Sequence, residues 1–176
     1  MSTTMKVAPI LEAGNILTAL PSIEVYLHPG QLYVSREPAQ ISMILGSCAG
    51  VCLYDRRRSM GGAIHYMLPQ WDGSGQPSPR YGDIAIETLF KQFQIHGSNA
   101  KDLEAKLFGG ACMFQVFRAE NGSDDHIGSR NVQMALEILA RLGIAVVTRD
   151  TGGENGRKLK MQSDTGAVTV SVIRNS

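Results

Sequence analysis

A thiol and an imidazole carry the chemistry that this sequence offers. Cys48 lies in Ile41-Ser-Met-Ile-Leu-Gly-Ser-Cys48-Ala-Gly-Val-Cys-Leu-Tyr-Asp55, where one apolar run meets a tight Gly46-Ser47 turn and a second run begins. His65 follows in Gly61-Gly-Ala-Ile-His-Tyr-Met-Leu-Pro69. The thiolate is the nucleophilic form of cysteine. A free thiol titrates near ~8.5, so at neutral pH it needs a basic or cationic neighbour. The N–H groups of a tight Gly46-Ser47-Cys48 turn can also converge on one point and hold the oxyanion of an acyl-transfer intermediate. Cysteine, histidine and turn together fit acyl transfer, provided the fold lets them meet.

The elements around them make that meeting reachable. Ala49–Tyr54 and Ser59–Ile64 both read as strands, separated by a short charged loop. Antiparallel pairing across a four-residue loop at 55–58, a common hairpin length, places Cys48 opposite His65. Side chains opposed in this way share one face, with Cβ atoms ~4.5–5.5 Å apart. Gly50 then faces Ala63, and Cys52 faces Gly61. Upstream, Ser22–Leu27, Gln31–Ser35 and Ile41–Leu45 also read as strands, with a turn at His28-Pro29-Gly30. Pro69–Arg80 is an irregular loop. Its Trp71 either contacts substrate or packs on an ordinary surface. Apolar periodicity predicts one helix over 81–96, with Asp83 capping its start and Gly97 stopping it. It predicts a second over Ile127–Leu142, ended by Gly143. Leu103–Leu107, Ala111–Phe117 and Ile144–Arg149 look extended, and Arg157–Gln162 with Ala167–Ile173 forms a last hairpin. Many strands and two main helices give an α+β single domain over 22–176, preceded by an N-terminal arm at 1–21.

Composition narrows the function classes. The 176 residues are 43% apolar and 19% charged, which is globular and not disordered. A net charge of +1 without a basic stripe argues against nucleic-acid binding. Arg56-Arg57-Arg58 reads as a solvated loop tip. No apolar run approaches the ~18 residues of a membrane span, and the start lacks a signal-peptide pattern, so the expected location is the cytoplasm. Three cysteines, an odd count, fit reduced thiols. Cys52 and Cys112 read as packing. His28, His96 and His126 show no metal-ligand spacing with the cysteines, and neither Gly109-Gly110 nor Gly152-Gly153 fits a phosphate loop. No metal or organic cofactor is expected.

Several segments occur in an order that resembles one family. They are Leu45-Gly-Ser-Cys-Ala-Gly-Val-Cys-Leu-Tyr-Asp55, Gly62-Ala-Ile-His-Tyr-Met-Leu-Pro69, Tyr81-Gly-Asp-Ile-Ala, Ala105-Lys-Leu-Phe-Gly-Gly-Ala111 with Met113-Phe114, Ile127-Gly-Ser-Arg-Asn-Val132, and Asp150-Thr-Gly-Gly153 with Gly156-Arg157. Over roughly residues 22–173 the chain resembles CheD, the chemoreceptor glutamine deamidases. The resemblance implies a protein-glutamine glutaminase that converts glutamines of methyl-accepting chemotaxis receptors to glutamate. It also implies layered sheets akin to the catalytic domain of cytotoxic necrotizing factor toxins. The family's nucleophile falls on Cys48 and its histidine on His65. Its third catalytic position, usually threonine, falls on Ser42, which keeps the hydroxyl and lacks the methyl group that fixes the rotamer. Gly46 and Ser47 belong to the oxyanion turn. The family also binds the CheC phosphatase in some bacteria, so a non-catalytic CheC regulator is one alternative. A thiol methylesterase or peptidase on the same receptors is another, because ester and amide acyl transfer share an intermediate.

Overall fold

Side-chain alternation sorts the strands into two sheets. The structure, a computed structural model, describes residues 23–113 and 126–174. In chain order the elements are β1 (Ile23–Tyr26), β2 (Gln31–Ser35), β3 (Ala39–Leu45), β4 (Ala49–Asp55), β5 (Met60–Tyr66), α1 (Gly82–Ile95), β6 (Leu103–Gly109), α2 (Ile127–Leu142), β7 (Ala145–Thr151), β8 (Gly156–Gln162) and β9 (Val168–Ile173). One sheet has the order β1-β3-β8-β9 and the other β2-β5-β4-β6-β7. Both are mixed: β1 runs parallel to β3, and β7 parallel to β6. The expected α+β architecture with two main helices is what forms.

The layers explain why β4 reads as an unbroken apolar run. Val51 and Leu53 face a cluster that includes Ile86, Leu89 and Phe93 of α1 and Ala135 and Leu139 of α2. Cys52 faces the other way, into a cluster between the sheets with Ile41, Met43, Leu45 and Leu159. A strand covered on both faces has no polar side to show. Gly50 belongs to the inter-sheet side. A Cβ there would lie 2.8 Å from Met43 Sδ, so any larger residue would force the Met43 and Leu45 side chains of β3 to shift.

The β4–β5 hairpin differs from expectation in register. Gly50, and not Cys48, pairs with His65; Cys52 pairs with Ala63, and Asp55 with Met60. The loop is therefore 56–59. Asp55 is the cause. It is fully buried and accepts hydrogen bonds from Arg57 N, Arg58 N and the Ser98 hydroxyl, which makes it the end of the strand and not the start of the loop. Ser59, at φ 48°, closes the turn. The displacement is even, so every side chain keeps its face.

Other expectations fare unevenly. α2 has the predicted bounds, and Gly143 ends it in a left-handed cap. Asp83 does not cap α1. Tyr81 holds the cap position without a side-chain bond, and the Asp83 carboxylate, inside the first turn, accepts from Ile84 N and from Trp71 N. Of Ala111–Phe117, residues 111–113 form no strand and the rest lie outside the described residues, as does the arm at 1–21. No helix among the described residues is long and apolar enough to cross a membrane.

Candidate active site

The turn carrying Cys48 is fixed by its carbonyls. Gly46 O accepts from Ala111 N at 2.9 Å and Cys48 O from Gly110 N at 2.8 Å. Ser47 O accepts from Asn131 Nδ2 at 2.9 Å. A trans peptide is planar, so its N–H points away from its C=O. No peptide among the described residues is cis. Anchoring the Gly46 and Ser47 carbonyls therefore fixes the Ser47 and Cys48 N–H groups, each pointing away from its own peptide's carbonyl partner. The Cys48 amide lies close enough to its own sulfur to favour the thiolate. Gly109 completes the clamp. It holds φ 98°, and a Cβ there would fall on the Cys48 carbonyl oxygen.

His65 stands on the same face as Cys48. Its partner Gly50 and the next inward residue, Cys52, point between the sheets, and Cys48 packs on that same inter-sheet cluster. Cys48 is half-buried and His65 only 3% exposed. The pair is diagonal across the hairpin. On the β-sheet repeat this sets the Cβ atoms ~7–8 Å apart or somewhat less, within reach of a thiol and an imidazole. The imidazole orientation is also readable. Nδ1 lies 2.9 Å from Leu27 O. A carbonyl only accepts, so Nδ1 carries the proton and Nε2 the lone pair. Nε2 is buried without a partner in the fold.

Ser42 does not touch His65. Ile41, Met43 and Leu45 point between the sheets, so alternation sends Ser42 to the outer face of its sheet. Its hydroxyl donates to Val25 O at 3.3 Å. The residue does meet His65 at one remove, because its carbonyl accepts from Leu27 N at 2.8 Å and Leu27 O holds the imidazole. The direct orienting contact expected of Ser42 is thus made by the Leu27 main chain. Ser42→Ala keeps the backbone bond and loses only the hydroxyl. A net hydrogen bond contributes about 0.5–1.5 kcal/mol. The turnover of Ser42→Ala is expected to fall less than ~10-fold in a steady-state assay.

Burial opposes charge on both groups. It pushes the Cys48 thiol up from its ordinary value. It pushes the His65 imidazole down, against the bond to Leu27 and with a smaller push in the same direction from His28. The sequence reading had an imidazolium holding a thiolate, whereas this environment favours neutral thiol beside neutral imidazole. The sign is testable. A raised thiol pKa means that thiolate appears only as pH climbs past the usual thiol range. The rate of Cys48 alkylation by iodoacetamide, followed by intact mass, is therefore expected to keep rising above pH ~8.5 and not level off near neutrality.

Two contributors were missed by sequence reasoning. Leu27 acts through its main chain, for which no side-chain signal exists. Asn131 lies in the buried stripe of α2 with Gly128, Val132, Ala135, Ile138 and Leu139. A fully buried amide at helical spacing among apolar residues was a legible signal. Cys52 is buried, its thiol pushed up to about 12. Trp71 is half-buried, its indole N–H donating to Ser74 O. Among the described residues no three His, Cys, Asp or Glu side chains gather as a metal-binding group.

Comparison with known proteins points one way. The family model described as CheD chemotactic sensory transduction matches residues 67–172. The chain is 40% identical over 151 residues to the "Probable chemoreceptor glutamine deamidase CheD" of Sulfurimonas denitrificans, covering 86% of this chain and 95% of that protein. It is 42% identical over 148 residues to the protein of the same name from Trichlorobacter lovleyi, covering 84% and 89%. A protein with that name from the archaeon Thermococcus kodakarensis is 38% identical over 157 residues, covering 87% and 95%. Similar solved structures are more distant. The hypothetical protein YfiH of Bacillus licheniformis is 15% identical with a TM-score of 0.44, covering 69% of this chain and 49% of that one.

Proposed function

The chain belongs to the CheD family, and from that membership we propose that it is a protein-glutamine glutaminase acting on methyl-accepting chemotaxis receptors through Cys48 and His65. The observation that carries the mechanism is the free lone pair of His65 Nε2 on the sheet face that Cys48 shares. Residues 22–176 are assigned as the catalytic domain, working in the cytoplasm. The layered sheets are proposed to be akin to those of the catalytic domain of cytotoxic necrotizing factor toxins.

The steps follow from neutral partners. As a receptor glutamine enters, the Cys48 thiol passes its proton to His65 Nε2 and sulfur bonds to the δ-carbonyl carbon. The oxyanion that forms is met by the Cys48 amide N–H. Collapse breaks the C–N bond. The His65 proton goes to the leaving nitrogen, which departs as ammonia and leaves a thioester. His65 then takes a proton from water as the water attacks that thioester. Sulfur leaves, recovers the proton, and the glutamate carboxylate is released. Each turnover consumes one water and frees one ammonia. Leu27 O holds the imidazole while it charges, and Ser42 supports Leu27.

The test uses purified protein and a soluble receptor fragment. Ammonia release is expected to match glutamine-to-glutamate conversion mapped by peptide mass spectrometry. Methanol release from methylated fragments, with glutamines untouched, would turn the reading to ester hydrolysis.

A further inference from the structure

Asn131 joins the two halves of the site. Its side chain is fully buried, and Nδ2 donates twice: to Ser47 O at 2.9 Å and to Met67 O at 3.0 Å. Ser47 precedes the nucleophile. Met67 immediately follows β5, two residues beyond His65. One amide nitrogen therefore ties the nucleophile's turn to the strand of the base. The Tyr66 hydroxyl donates to the Asn131 carbonyl and fixes α2 over this point. Asn131 Oδ1 is buried with no hydrogen-bond partner. The donor side is what this residue contributes, since the acceptor side is left unsatisfied, which is unfavourable.

We infer that Asn131 is a positioning residue for the reaction: its Nδ2 aims and polarises the Ser47–Cys48 peptide so that the Cys48 N–H meets the oxyanion. The two groups belong to one peptide unit, so a hydrogen bond on its carbonyl strengthens its N–H as a donor. The bond also keeps the plane from rotating when negative charge develops on the other side. The bond to Met67 holds β5, and with it His65, at constant separation from the thiol. The inference rests on the deamidase reading of Cys48 and His65.

The test compares Asn131→Leu, close in size and without donors, with Ile138→Ala, which empties a core position on the same helix away from the turn. The resting proteins are first compared by the NMR carbonyl shift of Ser47 and the amide shift of Cys48. Both are expected to move in Asn131→Leu and to stay in place in Ile138→Ala. With a receptor fragment, kcat of Asn131→Leu is expected to fall ~10²–10³-fold, the scale of losing an oxyanion donor, with KM nearly unchanged. Its Cys48 alkylation, which forms no oxyanion, is expected to fall far less than kcat, only by the weaker support that the Cys48 N–H then gives its own sulfur. If Asn131→Leu fails to fold, Asn131→Asp is read in the same way, with partial recovery of kcat expected where the acid is protonated and can donate again. An unmoved Ser47 carbonyl shift, or a kcat loss no larger than that of Ile138→Ala at a similar drop in Tm, would overturn the inference. The resting-state shifts need no substrate. Shifts that move in Asn131→Leu as described, beside a wild type that deamidates nothing, would sink the deamidase reading alone.

Discussion

Replacing Cys48 with alanine is expected to remove ammonia release from a receptor fragment almost completely, by at least ~10⁴-fold in kcat. No other thiol can take over. Cys52 is four residues further along, inside β4, fully buried, with its thiol pushed up to about 12. Cys112 is buried too, in the segment whose neighbour Ala111 donates to Gly46 O. The fold should tolerate the change. Cys48 is half-buried, and the turn is held by carbonyl bonds that alanine leaves in place. Its Tm is therefore expected to stay within a few degrees of wild type, as for a substitution that removes one partly buried atom. Loss of activity with an unchanged melt separates a chemical role from a structural one.

The second large effect is at His65. Glutamine there is close in reach and can still donate an amide N–H to Leu27 O, so the substitution removes the proton carrier with limited disturbance. Turnover is expected to fall ~10²–10⁴-fold, the range of general acid–base catalysis. The pH profile supplies the sign. His65 must be neutral to accept the thiol proton, and burial lowers its pKa from the ordinary imidazole value of about 6.5. The wild-type kcat/KM should hold down to pH 6.5 and decline only below it, as Nε2 becomes protonated. That acid limb should vanish in His65→Gln. A limb that persists unchanged would assign it to another group.

The sequence made some of this legible and hid the rest for identifiable reasons. Helix α2 could be read to its ends because a periodic apolar stripe runs into Gly143. Ser42 was only half placeable: alternation with Ile41, Met43 and Leu45 puts its hydroxyl on the opposite face of β3, but which face looks toward His65 depends on how the two sheets pack. The hairpin register was not placeable, because it depends on burial of the Asp55 carboxylate against Ser98, a contact spanning the whole of α1. β1 and β2 flank a plain His28-Pro29-Gly30 turn, yet they enter different sheets, since β1 pairs in parallel with β3. That pairing delivers Leu27 O to His65. Main-chain partners from another sheet leave no mark in side-chain pattern. The buried amide of Asn131 did leave one, although only its two acceptors show what it holds.

The most direct measurement traps the intermediate. Wild-type protein and a receptor fragment would be mixed, quenched in acid within the first turnover, and analysed by intact and peptide mass spectrometry. The expected result is a covalent adduct of the fragment on Cys48, formed with loss of ammonia and decaying as glutamate appears at the same receptor position. Glutamate formation at an undiminished rate in Cys48→Ala, with no adduct on the wild-type thiol, would contradict the account.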